Sequence, residues 1–334
     1  MGFIRFFRSS FFIQYFIIGL TGIVLWLPAF FHPPKLPLPE GPVILYNLVY
    51  ELFSGLPLMA VIFAFLLLWW NTYFILNLFN NNDLIPKNSS LSAMIFMVLN
   101  SIFPQQLTLT PTLLALSLIL LVLHHLLITY NKPEHFDRVF ATGFFTAIAA
   151  LFYLPALPWF FLVLISFVLF RSGRWREWMA ATIGLFTPFL YLAVFLFWND
   201  EFLTTLGQFT AFFKQKMALP VTIGPETLVP SVVILLLLFW AMAKNRSGGK
   251  EGKVEIRIKY NLFLWVLFFF AISFFISHSL MAYHIAIATP SITLVLTTAL
   301  TGLKKHRLVE IILGILFMWL LVNNVVINFI LQPG

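Results

Sequence analysis

Phe11-Phe12-Ile13-Gln14-Tyr15-Phe16-Ile17-Ile18-Gly19-Leu20-Thr21-Gly22-Ile23-Val24-Leu25-Trp26-Leu27-Pro28-Ala29-Phe30-Phe31 is an apolar run preceded by Arg5 and Arg8 and followed by His32-Pro33-Pro34. A helix needs roughly 20 apolar residues to cross the hydrocarbon core of a bilayer, and this run supplies them. It is too long for the apolar region of a secretory signal, and no small-residue cleavage site follows it. We therefore expect a first membrane span that is kept in the mature protein.

The rest of the chain repeats the pattern. Further apolar runs lie at 56–76, 91–104, 110–130, 139–154, 156–170, 178–198, 228–243, 260–277, 284–302 and 308–331. The reading is an all-α integral membrane protein with about eleven transmembrane helices, forming one polytopic domain over 1–334. Of the 334 residues, 61% are hydrophobic and 10% charged, against about 45–50% and about 25% in soluble domains. A chain this apolar needs lipid as its solvent. Pro104, Pro155, Pro188 and Pro290 fall inside or at the ends of runs, where they kink or stop helices. The boundaries between 84 and 110 are the least defined, since Asn88-Ser89-Ser90 opens the third run and Pro104 stops it. Leu154-Pro155-Ala156-Leu157-Pro158 reads as a tight turn at the membrane surface.

Charge sets the expected orientation. With the N-terminus in the cytoplasm, all but three of the 20 Lys and Arg residues fall in inner segments, as the positive-inside bias requires. The three are Lys35, Lys214 and Lys216. An error in the helix count would break this alternation, so the expected topology is N-terminus cytoplasmic and C-terminus periplasmic, in a bacterial inner membrane. The net charge of +8 is thus topogenic and gives no reason to expect nucleic acid. The basic loop 244–259, centred on Ser247-Gly248-Gly249, suits anionic headgroups or a cytoplasmic protein partner. Arg171-Ser172-Gly173-Arg174-Trp175-Arg176-Glu177-Trp178 is a second inner loop, with tryptophans to anchor the next helix. The absence of cysteine removes disulfides, thiolate nucleophiles and Cys-based metal sites.

Two outer segments are long enough to form a site, 32–55 and 199–227. The first carries five prolines and then an amphipathic stretch, Val43 to Phe53. The second begins Asn199-Asp200-Glu201 and continues as an interfacial helix with Phe209, Phe212, Phe213, Lys214 and Lys216. Carboxylates at the outer surface, Glu40, Glu51, Asp200 and Glu201, are the candidates for a general base or for ligands of a divalent cation such as Mg or Mn. Lys214, Lys216, His278 and His284 are the candidates to neutralise a lipid phosphate. A histidine-held metal is disfavoured, because His124 and His125 sit near the inner end of their span and His278 and His284 near the outer end, roughly 15–25 Å apart in depth. No internal repeat of the kind found in many secondary transporters is evident. Few charges lie within the spans, which disfavours a relay through the bilayer.

Three stretches together resemble an uncharacterised family of polytopic inner-membrane proteins from Bacteroidetes. They are Phe6-Phe7-Arg8-Ser9 with Leu25-Trp26-Leu27-Pro28, then Phe152-Tyr153-Leu154-Pro155-Ala156, then the Arg174-Trp175-Arg176-Glu177-Trp178 segment continuing to Trp198. The order of loops is in addition similar to the GT-C superfamily of membrane glycosyltransferases, which use polyprenyl-phosphate-linked sugars. That likeness implies a cytoplasmic N-terminus, a catalytic acid in the first outer loop and a second outer loop after the seventh span. The superfamily usually places an acid, often paired, soon after the first span, whereas here Glu40 and Glu51 stand alone on a shorter loop. Two other readings remain open at this point. A non-enzymatic membrane scaffold or subunit of an envelope complex would leave the outer acids scattered in water. A transporter would need a polar interior near mid-depth, lined by residues such as Asn71, Asn100, Asn323 and Asn324.

Overall fold

The structure, a computed structural model, describes residues 7, 12–39, 41–86, 89–130, 135–170, 174–214, 225–248, 254–276 and 281–303. Among them every regular element is helical. In chain order these are α1 (Phe12–Phe31), α2 (Ile44–Phe53), α3 (Pro57–Asn81), α4 (Leu91–Leu99), α5 (Pro111–Thr129) and α6 (Phe136–Phe152). Then follow α7 (Trp159–Leu169), α8 (Trp175–Trp198), α9 (Phe202–Lys214), α10 (Pro225–Gly248), α11 (Val254–Ile276) and α12 (Met281–Thr301). Seven of them, α1, α3, α5, α8, α10, α11 and α12, are long and apolar enough to cross a membrane, the architecture of an all-α membrane protein. The expected spans 91–104, 139–154 and 156–170 correspond to helices of 9, 17 and 11 residues, shorter than those seven. The expected span 308–331 lies outside the described residues.

The shortening of the third span has a local cause. α4 stops at Leu99, and Asn100 closes it by returning both its backbone N–H and its side-chain Nδ2 to the Phe96 carbonyl. Asn, Ser and Thr compete with helix propagation in this way. The chain then runs through a 3₁₀ turn at Pro104–Gln106 to Pro111, where Thr110 caps α5 by accepting the Leu113 N–H. Nearly all of 100–110 is buried in protein. Irregular backbone within an apolar environment is tolerated when protein groups satisfy it, and here they do. Ser101 donates to the Met97 carbonyl and accepts the Trp26 indole N–H at 3.0 Å. The expected turn at 154–158 is present as a 3₁₀ turn at Leu154–Ala156, with its side chains buried in the protein.

α12 is the axis of the molecule. It packs against α4, α5, α10 and α11 and against the 3₁₀ turn at 104–106, and 89% of its apolar window is buried. Pro290 sits inside it. A proline lacks the N–H that would reach the carbonyl four residues back, and the Thr289 hydroxyl donates to that Ala286 carbonyl instead, at 2.7 Å.

α6 and α8 make the most extensive helix pair. A Cβ on Gly143 would overlap the Ala181 carbonyl, and one on Gly184 would overlap the Phe140 carbonyl. The two backbones therefore touch, which only small residues permit.

Polar contacts sort the helix ends into two groups. On one side Lys259, at the start of α11, bonds Asn82 at the end of α3 (3.1 Å), pairs with Glu255 (2.7 Å) and lies over the ring of Tyr130, just past α5. Tyr130 meets Phe170, just past α7, ring to ring. Asn245 of α10 donates there to Tyr260 of α11 and to Thr298 of α12. Ser90, which precedes α4, donates its N–H to the Phe7 carbonyl. On the other side are the ends of α1 and α6 and the starts of α5 and α12.

Candidate functional site

The second group of ends carries the candidate site, and its residues come from five elements. Tyr46 of α2 is fully buried; its phenol O–H lies 2.9 Å from the Pro37 carbonyl and 3.3 Å from the Leu109 carbonyl. The single proton can serve only one acceptor at a time, but the position ties the segment after α1 to the segment before α5. Burial first, and the nearby Tyr283 second, hold this phenol protonated well above its ordinary range. α2 also lies on α6. The α9 helix reaches the same region through Phe212, whose ring lies 2.5 Å from where a Cβ on Gly41 would be. Gly41 has φ +77, so both its conformation and the close approach of Phe212 require glycine. The two outer segments read from the sequence are thus in contact.

Beneath them, His284 in the first turns of α12 is fully buried. Its Nδ1 lies 2.8 Å from the Tyr153 hydroxyl at the end of α6, and its Nε2 lies 3.1 Å from Ser273 Oγ of α11. The imidazole stacks on Phe270 with centroids 4.9 Å apart. Three helix ends are fastened by one ring.

The predicted site residues fall unevenly on this frame. Glu51 is exposed in the last turn of α2. Lys214 is exposed at the end of α9, two residues beyond the Phe212 that meets Gly41. Asp200 and Glu201 precede α9, and a helix of 13 residues rising about 1.5 Å per residue puts them about 20 Å from Lys214. Glu40, Lys216 and His278 lie outside the described residues. His284 is at the second group of helix ends, with both ring nitrogens engaged by protein groups. Among the described residues no set of three His, Asp or Glu side chains is placed to hold a metal ion. His124 and His125 pack ring against ring and against Phe74 and Phe145, away from His284.

Asp200 has a conformational role that the sequence reading did not assign. Its φ is +58, its N–H donates to the Phe197 carbonyl, and the Glu201 N–H donates to the Leu196 carbonyl. This is the Schellman pattern that ends a helix on a left-handed residue. α3 ends identically: Asp83 has φ 52 and donates to Asn80, and Leu84 donates to Phe79. The signal was visible as the dipeptide Asn-Asp, which closes both helices (82–83 and 199–200). The Thr/Ser-rich face of α12 was likewise available in the sequence; its placement at the axis was not. Compared with known proteins, the chain matches no family model, no curated protein and no solved structure.

Proposed function

We propose that the chain is a GT-C-like membrane glycosyltransferase, or an inactive relative of one, working at the outer face of a bacterial inner membrane. The reading includes about eleven spans, with the N-terminus cytoplasmic and the C-terminus periplasmic. The observation that carries it is the contact between Gly41 and Phe212, which joins the first outer segment to the helix that follows the seventh expected span. Two short surface helices, α2 and α9, then flank one region above the start of α12. The grouping of the helix ends supports the alternation of sides on which the topology rests: the ends of α3, α5 and α7 and the start of α11, expected inside, meet one another.

In this reading a polyprenyl-phosphate-linked sugar lies along the membrane with its phosphate toward Lys214 and Lys216. Glu40 or Glu51 takes the proton of an acceptor hydroxyl. The acceptor oxygen bonds to the anomeric carbon as the bond to the phosphate oxygen breaks, and the lysines neutralise the departing lipid phosphate. Asp200 and Glu201 line the acceptor side. The test is sugar transfer by purified protein from a polyprenyl-phosphate donor, with Glu40→Gln, Glu51→Gln and Lys214→Ala beside the wild type. Turnover that one glutamate change abolishes, at unchanged folded yield, is the expected result. The absence of both donor binding and turnover sinks the reading.

One observation favours a transporter as the second reading. The crossing at 91–110 is broken near mid-chain, and Asn100 at the break bonds Thr289 beside Pro290 of α12. Many transporters bind solutes where a membrane helix is interrupted.

A further inference from the structure

We propose that the strip of α5 between α3 and α6 holds an anionic diacyl phospholipid, with its phosphate at Arg138 and its glycerol esters at His124. The site lies at the first group of helix ends, away from the residues assigned to sugar transfer, and does not depend on that reaction. α5 packs against both neighbours. None of its residues is exposed, whereas α3 turns Leu66, Trp70 and Tyr73 outward. α5 is recessed but not closed over. Leu114, Leu118, Leu121, His124 and His125 are half-buried and form a strip that ends near Tyr130.

The two histidines show what flanks the strip. The His124 ring meets Phe74 of α3 with centroids 5.4 Å apart, and the His125 ring stacks on Phe145 of α6 at 5.7 Å. The two imidazoles also meet each other at 5.7 Å, so together they span the floor from one wall to the other. Arg138 lies in the first turn of α6. It precedes Phe145 by seven residues, about two turns, and so shares that side of the helix. Its charge acts on both imidazoles.

The half-buried Arg138 side chain has no hydrogen bond or ion pair with the described residues. Neither imidazole makes a hydrogen bond to them, and His125 Nδ1 is buried. Polar groups left without partners in an apolar setting are costly. A phospholipid answers both needs at their respective depths. Arginine lays its stem along apolar surface and keeps its head in the headgroup layer, where the guanidinium fork pairs with a phosphate. Deeper in, an imidazole N–H donates to an ester carbonyl, and the acyl chain continues over Leu121, Leu118 and Leu114. Asp137, exposed in the same turn as Arg138, acts on His125 but not on His124, which leaves the α3 side of the strip to the phosphate. A cation without an ion-pair partner favours a net anionic headgroup over a zwitterionic one, whose own ammonium offsets its phosphate.

The test is native mass spectrometry of the full chain in a neutral detergent, titrated with phosphatidylglycerol or phosphatidylcholine. The wild type should retain one phosphatidylglycerol in preference to phosphatidylcholine. Arg138→Gln lowers phosphatidylglycerol affinity about tenfold and removes the preference, whereas Arg138→Lys keeps the charge and retains it. His124→Phe weakens both lipids alike, because both carry the esters. Arg176 is exposed near the start of α8, on the same side, and Arg176→Gln leaves binding unchanged. A phosphatidylglycerol with a photoreactive acyl chain labels α5 in the wild type and not in Arg138→Gln. Melting curves in detergent alone check that each variant is folded. Equal retention of the two lipids by the wild type overturns the proposal, as does a loss in Arg176→Gln as large as that in Arg138→Gln, which is general attraction to a basic face. Acyl labelling of α5 that persists in Arg138→Gln overturns it too.

Discussion

α8 and α12 are both apolar helices of crossing length, 24 and 21 residues, yet the protein uses them in opposite ways. α8 buries 17% of its apolar window and α12 buries 89%. α8 leans on the bundle along one stripe, where Gly184 and Ala181 meet the α6 backbone. It turns Met179, Phe186, Leu190, Val194 and Phe197 outward. α12 is surrounded, and polar bonds near its two ends and its middle hold it: His284 to Tyr153, Thr289 to Asn100, and Thr298 to Asn245. Between apolar side chains and lipid tails there is little hydrophobic preference either way, so close packing and interhelical hydrogen bonds decide which helix is central.

The sharpest way to break this contrast is at the α6–α8 crossing. Gly143→Leu drives a side chain into the Ala181 carbonyl, where no rotamer gives relief. We expect a loss of about 4–5 kcal/mol, read as collapse of the folded fraction in thermal melts; a Tm within a few degrees of wild type would show that the backbones do not touch.

A paired truncation measures the contrast itself. Leu294→Ala, at a fully buried position of α12, should cost about 2–3 kcal/mol. Leu190→Ala, on the outward face of α8, should change stability by no more than about 0.5 kcal/mol. Equal losses would mean that another surface covers α8 in the folded protein.

The smallest effect is expected where α8 ends. Glycine adopts the left-handed conformation of Asp200 freely, so Asp200→Gly should be neutral or stabilising by up to about 1 kcal/mol, whereas Asp200→Val should cost about 1–2 kcal/mol. If Asp200 also serves the transfer reaction, Asp200→Gly abolishes turnover while stability holds. Unchanged turnover in Asp200→Gly leaves Asp200 as a helix stop alone.

The helical class, six of the seven crossing-length helices within a few residues at each end, and the two surface helices at 44–53 and 202–214 were legible in the sequence. Apolar runs, prolines and amphipathic spacing act locally. Positions where a long-range bond outweighs local preference were less legible. The run 91–104 looks like one span because its residues are apolar; it breaks at Asn100, whose amide is used by its own helix and by Thr289, 189 residues away. His284 illustrates the same limit. Its place near the expected outer end of a span suggested a phosphate ligand, but Tyr153 and Ser273 converge on its two nitrogens, and spacing along a chain does not encode such convergence.

The sequence by itself determined that the chain is built from apolar helices and where most of them start and stop, because hydropathy and helix-stopping residues need no distant partner. Only the tertiary structure decided which helix lies at the centre, which glycines let two backbones touch, and which segments meet at Gly41 and Phe212. In an apolar environment those choices rest on steric fit and on hydrogen bonds between residues far apart in the chain.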